Sequence, residues 1–184
     1  MPDQVMVQRF RGRLALLPFV FLSLTGCALF RTPGPAGAAN TTAALRNAAD
    51  DVLVRTIAAR RKAGRSGLER SVNLMSAAQL QADQMAKTGT MSHALPGTAY
   101  PTLKSRLAAV SYESRAAGEN IAEGQRDAAE VVSSWMRSPG HRDNILSSEF
   151  TEIGTGVALG RNGRLYWAQV FGRPRAGPSK RIAE

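Results

Sequence analysis

Apolar positions recur at helical spacing through the middle of the chain and alternate in its last quarter. Leu45, Ala49, Val52, Leu53, Thr56 and Ile57 share one helical face. Asn40, Thr41 and Thr42 offer its N-cap, Arg60 to Lys62 suit the negative end of its dipole, and Gly64 ends it. A second helix is expected to open with a capping box at Ser76 to Gln79, bury Ala78, Ala82, Met85 and Ala86, and stop at Gly89. A short third helix follows Pro101, from Thr102 to Val110, with Leu103, Leu107 and Val110 inward. Asp127, with Glu130 three residues on, caps a fourth whose Ala128, Val131, Val132 and Trp135 lie at i, i+3, i+4 and i+7. Ser138-Pro139 then restarts the chain as cap and first helical residue of a turn or two ending near Leu146.

From Thr151 the period changes to two. Ile153, Thr155, Val157 and Leu159 alternate with Gly154, Gly156 and Ala158; Leu165, Trp167, Gln169 and Phe171 alternate with Tyr166, Ala168 and Val170. Asn162-Gly163 between them is a strong hairpin signal, with positive φ expected at the turn. A short strand is also expected at Asn120 to Ala122. The pattern predicts an α+β fold: a small, mainly antiparallel sheet with helices able to cover both faces.

The first 26 residues read as an address. Arg9, Arg11 and Arg13 form a basic region, and the apolar run Leu14 to Leu24 is too short for a spanning helix, which needs about 20 residues. Leu24-Thr25-Gly26-Cys27 then resembles the bacterial lipobox, in which a Cys is acylated and becomes the new N-terminus. This predicts a lipoprotein signal peptide at 1–26 and a membrane anchor at Cys27. Residues 27–44, with Pro33-Gly34-Pro35 and several Ala, are expected to be a flexible tether. The folded domain is expected over 45–174 and a basic tail over 175–184. Ala28 stands where the usual Asp inner-membrane retention signal would be, which favours the outer membrane of a two-membrane envelope.

The sequence has 184 residues, 43% apolar and 21% charged, which excludes a wholly disordered or fibrous chain. The single Cys excludes an intramolecular disulfide and a Cys-based zinc cluster. The net charge is +10, and +8 remains once residues 1–26 are removed, so the excess belongs to the mature part. That charge suits an anionic envelope polymer. The basic runs are short and aromatics only 6%, against the basic stripe with stacking aromatics of a nucleic-acid groove. Gly-x-Ser-x-Gly is absent, which disfavours a familiar serine hydrolase.

Candidate chemistry sits in three segments: Met91-Ser92-His93, Gly118-Glu119-Asn120 and Pro139-Gly140-His141-Arg142. His93 and His141 are the only two His. Two His and one Glu, if brought together, are the minimum for an open transition-metal site. Each His can equally be a structural hydrogen bonder, and spacing alone does not bring the segments together. Trp135 and Trp167 read as core, and Asn120 as a partner for backbone.

Gly118-Glu119-Asn120-Ile121-Ala122, the run Trp135 to Leu146, Phe150 to Gly156 and Tyr166 to Gly172, taken in order, resemble the bacterial branch of the CAP superfamily, which groups cysteine-rich secretory, antigen-five and pathogenesis-related proteins. The resemblance implies an α-β-α sandwich with a cleft lined by two His and two acidic residues, sometimes holding a divalent metal. His93, Glu119 and His141 match three of the four. The second acid does not carry over: Ser138 stands near its place, and Glu152 is the nearest later acid. The resemblance implies a non-enzymatic envelope module that presents the cleft to a lipid, glycan or protein partner. No cofactor is required, and a divalent ion such as zinc would be held weakly. The alternative is a metal-dependent hydrolase using His93, Glu119 and His141.

Overall fold

The computed structural model describes residues 35–175. In chain order the elements are α1 (Pro35–Lys62), β1 (Glu69–Arg70), α2 (Val72–Thr88), α3 (Leu103–Ala109), β2 (Ser114–Glu123), α4 (Ala128–Arg137), α5 (Pro139–Leu146), β3 (Glu152–Leu159) and β4 (Leu165–Pro174). The strands form one sheet in the order β1-β3-β4-β2. β1 runs parallel to β3, and the β3–β4 and β4–β2 pairs are antiparallel.

The alternation read in the sequence divides the core. Ile153, Val157, Trp167 and Phe171 pack with residues of α1, α4 and α5, among them Val52, Leu53, Val131, Trp135 and Ile145. Tyr166, Ala168, Val170 and Ile121 point the other way, into Leu74, Ala78, Met85 and Leu107 of α2 and α3. The α+β sandwich expected from the pattern is therefore present. No helix of the described residues is long and apolar enough to cross a membrane.

Several boundaries differ from expectation. α1 begins at Pro35, so residues 35–44, read as tether, are helical; the anchor residue Cys27 and the signal segment 1–26 lie outside the described residues, as does most of the 175–184 tail. α2 begins a turn earlier than Ser76, behind Ser71 as N-cap. Ser76 is inside the helix, and its hydroxyl donates to Val72 O. Gln79, read as the reciprocal half of a capping box, instead bonds β3: its Nε2 donates to Val157 O at 3.1 Å and its Oε1 accepts from Val157 N at 3.3 Å. The α4 cap is as expected at Asp127, which accepts from Glu130 N; Thr102, expected as a helical residue, is the N-cap of α3 and accepts from Ser105 N. β2 covers ten residues where three were expected, and β1 was not anticipated. Leu159, read on one face with Ile153, Thr155 and Val157, is exposed where those three are buried.

The β3–β4 turn also differs. Gly163 has φ of 75° but Asn162 is not in the positive-φ region. Gly163 N donates to Gly160 O at 2.9 Å, Gly160 N to Arg164 O at 2.8 Å, and Asn162 Oδ1 accepts from Arg164 N. These bonds describe a three-residue loop with one left-handed glycine, the second commonest way to close a hairpin. A β-branched residue is strained at that φ, so Gly163→Val should destabilise the domain by about 1–3 kcal/mol while its helices remain. Thermal melts of both proteins check this, and an identical melting temperature would contradict it.

Candidate functional site

β2 sends consecutive side chains to opposite faces of the sheet. Glu119 points to the α2–α3 side and Asn120 to the α1–α4–α5 side, and both are buried. The glycine before them is set by close approach: a Cβ on Gly118 would lie 2.8 Å from Cζ of Phe150 and 3.2 Å from Oδ1 of Asn144.

Each oxygen of Glu119 has its own partner. Arg106, on α3, donates from Nη2 to Oε2 at 2.6 Å, and both side chains are withdrawn from solvent, at 0% and 3% exposure. Oε1 lies 2.9 Å from Nδ1 of His93, whose ring is 58% exposed. An ionised carboxylate only accepts, so the proton of that bond sits on His93 Nδ1 and the far ring nitrogen faces away from the acid. Gln81 of α2 steadies the loop that carries His93 by donating to Ser92 O at 2.6 Å.

Asn120 works on the other face. Its Nδ2 donates to the backbone carbonyl of His141 at 3.1 Å and to Gln169 Oε1 at 3.2 Å, and its Oδ1 accepts from Asn144 Nδ2 at 2.9 Å. Gln169 in turn donates to Thr56 Oγ1 at 2.7 Å, and Thr56 to Val52 O at 2.8 Å. A line of buried amides and a hydroxyl thus runs from α1 through β4 and β2 to α5. It fastens the helix that carries His141 to the strand that carries Glu119.

The His141 ring turns to Ser138, with Nδ1 2.9 Å from Oγ. Burial, and then the charge of His93, hold the His141 pKa below the ordinary imidazole value. The neutral ring is thereby favoured. His93 is close enough to bias His141 electrostatically, but its own hydrogen bond is to Glu119.

The expected residues separate as follows. His93 and Glu119 are in contact, and Ser138 joins the site through His141. Glu152 does not. It opens β3, pairs with Gly172, and lines a cavity of about 590 Å³ with Arg60, Arg65 and Arg173. Its neighbour is Tyr112, whose phenol pKa is raised by burial and by that carboxylate. Among the described residues no three His, Cys, Asp or Glu side chains are arranged to hold a metal ion. The physical reason is that a guanidinium already neutralises Glu119, and a divalent ion would have to displace it or lie beside its positive charge. The residues present do not fit the group.

Arg106 and Asn144 escaped the sequence reading, and Thr56 and Gln169 entered it only as positions on an element's face. The one signal for Arg106 was its buried phase on α3: it sits one residue before the inward Leu107 and three after Leu103. Trp135 and Trp167 are core, as expected, and their Nε1 groups donate to Ile121 O and Gln125 O.

Residues 53–171 match the Cysteine-rich secretory protein family, CAP. The chain belongs to that family. It is 33% identical over 147 residues to the uncharacterized protein YkwD of Bacillus subtilis (strain 168), a match that covers 78% of this chain and 56% of that one. It is 39% identical over 72 residues to the uncharacterized membrane protein YlbC of the same organism, covering 39% and 19%. The chain therefore spans about half or less of the length of these relatives. An SCP-domain extracellular protein of Bacillus anthracis superposes with a TM-score of 0.69 at 26% identity, covering 77% of this chain and 45% of that one. An outer surface protein of Borrelia burgdorferi shares the fold, with a TM-score of 0.63 at 21% identity and coverage of 70% and 94%.

Two outcomes follow. Arg106→Met strands a buried carboxylate and should cost about 3–5 kcal/mol, whereas the paired change Arg106→Met with Glu119→Gln should recover part of it. Denaturant unfolding of the two proteins measures the difference; equal stability of the single variant and the wild type would contradict the buried pair. The second concerns pH. His141 has a folded pKa below its unfolded value near 6.5, so the unfolded chain binds more protons just below that pH. The stability contributed by His141 is complete above about pH 6.5 and is lost as pH falls through the folded pKa. His141→Gln should flatten the fall of melting temperature on acidification, read from melts at neutral and mildly acidic pH.

Proposed function

We propose that the protein is a bacterial envelope module, anchored by a lipid at Cys27, that presents the His93–Glu119–His141 site to a lipid, glycan or protein partner as a binding surface. The observation that carries this reading is the closure of Glu119. A carboxylate that serves as base, nucleophile or metal ligand must be reachable, and the Glu119 side chain is 3% exposed. Here Arg106 holds one oxygen at 2.6 Å and His93 the other at 2.9 Å. The acid therefore orients an exposed imidazole and fixes its tautomer, and the imidazole is what a partner meets.

The envelope placement is supported by the lipobox-like Leu24 to Cys27 and by the extracellular SCP-domain protein of Bacillus anthracis that this fold resembles. The last turn of α1 carries Arg61 and Lys62 in solvent, while Arg60 is buried against the carbonyls of Ile145 and Ser147. With +8 on the mature chain, the surface suits an anionic envelope.

The test uses the full-length protein expressed in a bacterial host. Wild type should fractionate with membranes and carry acyl chains on Cys27, while Cys27→Ser should remain as unacylated precursor or appear in the soluble fraction. Isolated cell-wall sacculi and vesicles of envelope lipid are then offered to detergent-purified protein. Retention on one of them that is weakened by His93→Ala, with an unchanged melting curve, supports the reading. Retention on neither, or retention indifferent to His93, would remove the site from the function.

A further inference from the structure

Ser138 is the N-cap residue of α5, but its hydroxyl does not cap the helix. A serine at this position ordinarily accepts from a first-turn N–H. This one faces His141 Nδ1 at 2.9 Å instead. The two residues are held from several sides. Ser138 N donates to Trp135 O at 3.1 Å, and Ser138 O accepts from Arg142 N at 2.9 Å. Asn120 holds the His141 carbonyl. Burial and the charge of His93 favour the neutral imidazole, whose Nδ1 lone pair can accept the Ser138 proton.

A hydroxyl within hydrogen-bond reach of a neutral imidazole is the arrangement of a nucleophile and its base. Access is open: Ser138 and His141 are half-buried, Gly140 is exposed, and a Cβ there would meet nothing within 4 Å. The first-turn N–H groups that Ser138 leaves uncapped are donors at the same end of the helix.

We propose that Ser138 is an acyl-accepting nucleophile, with His141 as its base, that takes the acyl group of a carboxylic ester. Ser138 Oγ attacks the ester carbonyl carbon as its proton passes to His141 Nδ1. The tetrahedral adduct collapses, the bond to the alcohol oxygen breaks, and the departing alcohol takes that proton from His141. The products are an ester on Ser138, a neutral His141 and a free alcohol. The buried carboxylate of this site backs His93 rather than His141. Without an acid behind the base both half-reactions are slow, since in a serine–histidine–aspartate triad loss of the acid's charge lowers turnover about 10⁴-fold. An ester with a good leaving group still acylates Ser138, whereas the alkyl ester formed there has a poor one, so the acyl group is captured rather than turned over. This goes beyond the binding reading and does not require it.

The test uses full-length protein in detergent with p-nitrophenyl acetate as probe. Wild type should release about one equivalent of p-nitrophenolate in a burst and then stall, gain one acetyl group by intact mass, and carry it on Ser138 by peptide mapping. Ser138→Ala should abolish the burst, and His141→Gln should slow it by about 10²-fold or more. Ser148→Ala, at an exposed serine outside the site, should leave it unchanged. Should Ser138→Ala fail to fold, Ser138→Cys with iodoacetamide gives the second measurement: alkylation at that thiol should be slowed by His141→Gln. No adduct on folded wild type, an adduct on another residue, or a burst indifferent to His141→Gln would overturn the proposal. Loss of sacculus or vesicle retention would not, so the two readings fail separately.

Discussion

Two polar residues side by side on an edge strand, pointing in opposite directions and both buried, are the constraint on which this fold turns. A buried carboxylate and a buried amide are each costly unless fully partnered. On one face Glu119 is satisfied only when α3 supplies Arg106 and the loop after α2 supplies His93. On the other Asn120 is satisfied only when α5, β4 and, through Gln169, α1 are in register. Apolar packing would tolerate small slips of those helices; the hydrogen bonds do not. Asn144, together with Trp135 of α4, also covers the outer edge of β2, since the two donate to the carbonyls of Glu119 and Ile121. An edge that would otherwise offer unpaired backbone to another strand is closed there by side chains.

Arg106 gives the site its electrostatic character. A guanidinium keeps its charge when buried and presents a planar fork to a carboxylate. Placed against Glu119 it supplies the positive charge that a metal would otherwise bring, without an ion that could be lost. The remaining hydrogen-bonding capacity of the site then lies on its two imidazoles.

Much of this was legible in the sequence, and the limits have physical causes. The period change near residue 150, the α4 stripe and the Asp127 cap are local signals, and they gave helices and strands close to those observed. The α2 start was misread because Ser76 and Gln79 have capping-box spacing, while Gln79 is used to hold β3. β2 was read short because Ser114 to Gly118 lacks a regular apolar alternation; its pairing with β4 sets its length. The family motifs brought His93, Glu119 and His141 into view, but not the residues that define their chemistry. Arg106, Gln169 and Thr56 act across 13 to 113 residues of chain, and no local pattern marks such partners. Glu152 looked eligible by order alone, and the β3–β4 register places it beside Gly172 and Tyr112 instead.

The two imidazoles, alike in sequence, end in different settings. His93 gives its Nδ1 proton to a carboxylate, which can only accept. His141 faces a hydroxyl at Nδ1, and a hydroxyl suits either tautomer because it both donates and accepts. One ring is therefore fixed by its neighbour, while the other can exchange donor and acceptor roles with its own. A hydroxyl or an amide, which both donates and accepts, suits such a pair; a hydrocarbon satisfies neither ring. The difference arises from what stands behind each histidine, Glu119 with Arg106 behind one and Ser138 behind the other. A chain that kept both histidines but changed those neighbours would keep the motif and lose that division of roles.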